Sequence, residues 1–116
     1  MSSVPFDLPD INGGLTEIKG LIFLDDEFLV IEFETAFLGE FGKEQKTVKI
    51  EPAAISQIHL DQGFIRDIIS IRPKKTDLLD AIPGSHLGEL RLKVWRNRRP
   101  LAARLVRDVQ ATMNRA

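Results

Sequence analysis

Cysteine and tyrosine are both absent from this chain of 116 residues, histidine occurs only twice and tryptophan once. Without cysteine there is no disulfide framework to staple the fold and no thiolate to serve as nucleophile or metal ligand. That pattern suits a cytoplasmic protein held together by its core. No apolar run comes near the roughly 20 residues that a membrane-spanning helix requires. The opening segment MSSVPFDLPD has neither a basic residue nor a continuous apolar stretch, so it does not read as a secretory signal. Apolar residues make up 43% of the chain and charged residues 28%, the proportions of a soluble globular protein. A chain of this length suits one domain that buries about two thirds of its unfolded surface.

What is present is unevenly distributed. The net charge of −1 conceals a balance of −7 over residues 1–58, with eleven acids and four bases, and of +6 over residues 59–116, with six acids and twelve bases. Such a split either interleaves in the folded monomer or makes two surfaces of opposite sign, available to a partner or to a second copy.

Pro5, Pro9 and the pair Gly13-Gly14 make residues 1–14 read as an extended N-terminal arm, followed by a single domain over residues 15–116. The stretch LIFLDDEFLVIEFE, residues 21–34, sets two apolar runs about three acids, Asp25, Asp26 and Glu27. So short a connection predicts an antiparallel hairpin, with Leu29, Ile31 and Phe33 on one face and Glu32 and Glu34 on the other. After the turn GEFGKEQ, KTVKIE alternates with Val48 and Ile50 inward, and Pro52 ends it. Two further strands are expected over residues 56–61 and 68–72, linked around Gly63; the second is apolar on both sides, so it is central or covered. Residues 73–87 read either as one helical turn capped by Thr76 or Asp77 or as one short strand. ELRLKVW alternates again, with Leu90, Leu92 and Val94 inward and Arg91, Lys93 and Trp95 outward.

The period then changes. Asn97 is placed to cap a helix with Pro100 in its first turn, and Leu101, Ala102, Leu105, Val106, Val109 and Met113 recur at helical spacing. These positions span about 140° of the helix surface, and Arg104, Arg107 and Arg115 lie opposite. Six or seven strands in hairpin order with a terminal helix predict a mainly β fold, an antiparallel sandwich or partly open barrel whose open end or face the helix covers.

The run KTVKIEP, AAISQIHL, Gly63, IISIRP, GELRLKVW and a helix resembles the pleckstrin-homology-like (PH-like) superfold in its small bacterial form. The likeness covers residues 15–115 as a pattern of elements and not as a motif. It implies a bent antiparallel β-sandwich capped by the C-terminal helix. Lipid-binding members grip inositol phosphates with basic residues on the first two strands and the loop between them. Here the corresponding hairpin tip is read as Asp25, Asp26 and Glu27, which repel phosphate, with Lys19 as the base on the first strand.

Two sets of residues stand out as contact surfaces. Arg91, Lys93, Arg96, Arg98, Arg99, Arg104 and Arg107, with Trp95 among them, form a basic run without an acid, suited to a polyanion or an acidic partner. Asp25, Asp26, Glu27, Glu32 and Glu34 form the acidic counterpart. A pI near 6.1 and a single tryptophan argue against nucleic acid. No catalytic, cofactor-binding or metal-binding set emerges. His59 and Asp61 share a strand face, and Ser85 and His86 are sequence neighbours whose side chains diverge. The expected function is therefore non-catalytic: a PH-like binding or assembly module acting by protein contact or homo-oligomerisation. The first alternative is peripheral binding to an anionic membrane or other polyanion through the C-terminal basic surface; the second is a small-ligand or metal-dependent enzyme.

Overall fold

Strict alternation of apolar and polar side chains makes strands with one face to bury, and here it builds a single antiparallel sheet of seven strands. The structure, a computed structural model, describes residues 3–8, 16–25, 28–37, 44–75, 77 and 88–115. Its elements are β1 (Val4–Asp7), β2 (Thr16–Asp25), β3 (Phe28–Phe37), β4 (Glu44–Ile50), β5 (Ile55–Asp61), β6 (Arg66–Pro73), β7 (Leu90–Trp95) and the helix α1 (Arg99–Arg115). The order across the sheet is β4-β3-β2-β1-β7-β6-β5, so it is open, with β4 and β5 as its edges. The antiparallel β-structure with one C-terminal helix is thus the fold expected from the sequence.

The β2–β3 hairpin is in register from Asp25 opposite Phe28 to Thr16 opposite Phe37. Ile18, Ile22, Leu29, Ile31, Phe33 and Ile50 line the inner face of the β2–β4 wing, and Ile58, Ile69, Ile71, Leu90, Leu92 and Val94 that of the β5–β7 wing. All belong to one buried cluster together with Ala102, Leu105, Val106 and Val109 of α1. The sheet is therefore bent, and the helix fills the concave side. β6, apolar on both faces in the sequence, lies between β5 and β7.

Residues 4–7, expected within an extended arm, instead form β1 at the centre of the sheet, between β2 and β7. Two features allow this. Gly20, opposite Phe6, leaves room for the phenyl ring: a Cβ there would overlap the Glu32 carbonyl oxygen and stand 2.8 Å from the Phe6 Cζ. The backbone N–H of Leu8 donates to the carbonyl of Ile18 at 3.1 Å, so by alternation Val4 and Phe6 also bond towards β2 while Pro5 faces β7. On that side the ladder is just Asp7 opposite Lys93, so the missing N–H of Pro5 leaves no bond unmade.

Trp95 leads into a short 3-10 helix, Arg96–Arg98, that continues directly into α1. Asn97 lies inside this turn, which is why it does not cap the helix as its side chain suggested. The edge of β5 is partly covered, because the Gln110 side-chain amide of α1 donates to the Ile58 carbonyl at 2.8 Å. Asp26, Glu27, Thr76, Ser85 and His86 lie outside the described residues, as does most of the 73–87 segment. Among the described residues no helix is long and apolar enough to cross a membrane.

Because Leu105 is buried against the sheet while its neighbour Arg104 is exposed, the two positions separate packing from helix propensity. Leu105→Ala is expected to destabilise the protein by about 2 to 5 kcal/mol and Arg104→Ala by less than about 0.5 kcal/mol, read from urea unfolding midpoints.

Candidate functional site

Among the described residues one charged side chain points into the core. Asp67 is 0% exposed, on the inner face of β6 opposite Val94, in a row that is otherwise apolar. An ionised carboxylate is held there only by full pairing. Arg99, the first residue of α1, supplies it: Nε donates to Oδ2 at 2.7 Å and Nη2 to Oδ1 at 2.8 Å, the bidentate fork that planar guanidinium and carboxylate groups favour. The Gly63 N–H donates to Oδ1 at 3.0 Å, and Arg99 Nη2 also donates to the Gly63 carbonyl at 2.9 Å. Hydrogen bonding from Arg99 is the main cause that holds the Asp67 carboxyl below the usual carboxylate range, against the opposing effect of burial. The same bond raises Arg99.

This pair ties the loop between β5 and β6 to the start of the helix. A second arginine continues the clasp: the Arg96 N–H donates to the Ile65 carbonyl at 3.2 Å and its Nη1 to the Phe64 carbonyl at 3.3 Å. Gly63 is needed in the turn, since a Cβ there would overlap the Arg66 carbonyl oxygen. Held in this way, the loop displays Phe64, 86% exposed, and Ile65, 64% exposed. Trp95, 49% exposed, stands beside them under the guanidinium of Arg66, whose Cζ lies 4.1 Å from the ring centroid.

The basic run of the sequence is divided by this geometry. Arg91, Lys93 and Trp95 occupy the outer face of β7. Arg104 and Arg107 sit on the solvent side of α1, across the core from them. Arg96 and Arg98 are both exposed in the 3-10 turn that follows Trp95, and Arg96 reaches the Phe64–Ile65 tip. Arg99 is turned inward to Asp67. Among the described residues neither Arg96 nor Arg98 has an acid within ion-pair distance, whereas Arg91 is 4.0 Å from Glu89, which also pairs with Arg72 at 3.0 Å. Arg66, Phe64 and Ile65 were not singled out from the sequence.

Of the acidic set, Asp25 is exposed at the end of β2, and Glu32 and Glu34 lie on the outer face of β3. Strand order puts β2–β4 in one wing and β5–β7 in the other, and on the outer face of β2–β4 Lys19 stands opposite Glu34 with Lys49 on the same side. At the seam between the wings Asp7 of β1 pairs with Arg66 at 3.7 Å. A groove of about 240 Å³ crosses the outer face beside Lys19, Glu32, Glu34 and Gln45, smaller than the roughly 300–1,000 Å³ of typical ligand pockets.

His59 and Asp61 do form a surface pair, Nε2 to Oδ2 at 3.3 Å, and the Ser70 hydroxyl donates to the same oxygen at 3.3 Å. The carboxylate thus stands between serine and histidine, and His59 Nδ1 is buried without a hydrogen-bond partner. That order does not activate Ser70. Among the described residues no cluster of His, Asp and Glu is arranged to hold a metal ion.

Asp67 is lowered in the folded state, so it stabilises the protein fully above the ordinary carboxylate range and ceases to do so as pH falls through its folded value. Asp67→Asn is expected to lose about 3 kcal/mol near neutral pH, the low end for a broken buried pair because Arg99 retains partial solvation. The variant should also show a shallower loss of unfolding free energy than the wild type between about pH 5 and about pH 2, measured by urea titration.

No protein-family model, curated protein or solved structure matches this chain.

Proposed function

We propose that this protein is a non-catalytic binding module of PH-like architecture that engages an acidic macromolecular surface through the corner formed by the β5–β6 loop, the end of β7 and the start of α1. Seven antiparallel strands with a terminal helix support the PH-like reading. The observation that carries the function is the pair of exposed arginines, Arg96 and Arg98, with no acid within ion-pair distance among the described residues, on a corner fixed by the Asp67–Arg99 fork. Such guanidinium groups on a preorganised surface bind carboxylate or phosphate without first losing an internal ion pair, and Arg96 keeps further donors beside the one it gives to the Phe64 carbonyl.

The inositol-phosphate mode of lipid-binding PH-like proteins gains no support. With Val4–Asp7 as the first strand, the residues between the first two strands are 8–15 and not the acidic run at residues 25–27. That segment contains no Lys or Arg, and β1 and β2 together contribute Lys19. Lys19 alone does not make a multivalent phosphate grip.

Retention on a sulfated polyanion column tests the proposal. Despite a net charge of −1, the protein should be retained at about 50 mM salt, where charges are weakly screened. Arg96→Glu with Arg98→Glu should abolish retention, while Arg104→Glu with Arg107→Glu should weaken it less. Flow-through of the wild type, or elution indifferent to Arg96 and Arg98, would overturn the reading.

A second reading, homo-oligomerisation, rests on the charge split along the sequence: Glu32 and Glu34 on the outer face of β3 in one copy can meet the arginines of β7 and α1 in the next, a heterologous contact that closes into a ring or extends. Light scattering should then show a mass above the monomer at about 50 mM salt and the monomer at about 500 mM. A monomer at both, at high protein concentration, ends that account.

A further inference from the structure

We infer that the Phe64–Ile65 tip inserts into the interfacial region of an anionic lipid bilayer, with Arg66, Arg96 and Arg98 meeting the phosphate groups around it. The inference rests on the corner's being a contact site for an acidic surface, and it names that surface.

Large apolar side chains exposed side by side on a fixed loop call for a partner. Phe64 and Ile65 are the most exposed large hydrophobic residues described, and they are adjacent, on a convex tip, not in a groove. A protein partner would need a matching cavity and a stable interface of about 800 Å² per side. A bilayer interface deforms around a convex tip and accepts a shallow apolar insertion of about 5–10 Å. The flanking side chains fit that depth: Trp95, amphipathic and half exposed, suits the headgroup level, and arginines beside it face the negative surface of the leaflet.

The backbone supplies the strongest argument. Polar peptide groups resist entry into an apolar medium unless they are bonded within the protein. At this tip the Gly63 N–H and carbonyl, the Phe64 carbonyl and the Ile65 carbonyl all have internal partners, in Asp67, Arg99 and Arg96. The loop thus presents side chains for insertion while much of its own polarity is already satisfied, and it is ordered before it binds. Phosphate recognition here is by charge and not by headgroup shape, since the groove described lies on β2–β4, away from these arginines.

Sedimentation with vesicles of phosphatidylcholine containing about 30 mol % phosphatidylglycerol, against phosphatidylcholine alone, tests this at about 100 mM salt. The wild-type protein should bind the anionic vesicles and not the neutral ones, with a blue shift in the emission of Trp95, the one tryptophan of the chain. Phe64→Ser with Ile65→Ser should lower binding at least about tenfold and leave polyanion retention and the urea midpoint unchanged, because both side chains are exposed. Equal vesicle binding by the double variant would overturn insertion and leave charge attraction alone. Polyanion retention that depends on Arg96 and Arg98 without any vesicle binding would overturn the lipid assignment while sparing the acidic-surface reading, with a protein as the surviving partner. Loss of both retention and vesicle binding in the wild type would overturn the two together.

Discussion

The carboxylate of Asp67 is buried against the core, and it is tolerable there because the guanidinium of Arg99 meets both of its oxygens. Much of the molecule's geometry depends on that fork. It fixes where the helix leaves the sheet, since Arg99 opens α1, and it fixes the β5–β6 turn, since the same two side chains hold both polar groups of Gly63. A hydrophobic pair of equal volume would fill the space as well, but it would hold neither backbone group. The ion pair therefore acts as a joint between β6, the β5–β6 turn and α1, and the bonds of Arg96 to Phe64 and Ile65 reinforce it.

Strand order keeps elements that are close in sequence close in space. A sheet ordered β4-β3-β2-β1-β7-β6-β5 sets β2–β4 and β5–β7 in separate wings, and the arginines of β7 and α1 stand in the second. In the second wing Asp67 pairs with Arg99, Glu89 with Arg72 and Asp61 with His59, each a local contact. Glu32 and Glu34 lie on the outer face of β3. At the seam beside β1, Asp7 approaches Arg66.

Six of the strands and the helix were legible because each carries its own period: Leu29, Ile31 and Phe33 at a spacing of two, and Leu105, Val106 and Val109 at helical spacing. β1 was not, because Val-Pro-Phe-Asp is too short to show a period and contains a proline; it becomes a strand through partners supplied by β2 and β7. Asp67 left a readable trace, since extending the alternation of Ile71 and Ile69 backward by one step places a charge inside the core. The exposure of Phe64 and Ile65 left none, because two apolar residues beside a glycine read the same whether the loop folds over the core or away from it. Arg66 likewise acquires its role only when pairing across β6 and β7 sets it opposite Trp95.

The position of β1 bears on how the chain folds in time. The β2–β3–β4 meander is built from near neighbours in sequence and can pair as soon as those residues are available, and so can the β5–β6 hairpin. β1 bridges the wings, and its contact on the far side, Asp7 with Lys93, joins the two ends of the chain. Closing so long a loop is entropically expensive and is compensated only when β7 and the helix that follows it are in place. The two wings therefore have to wait for β7 and α1 before they share a core, which leaves the inner face of the β2–β4 meander uncovered on a nascent chain until those elements have emerged.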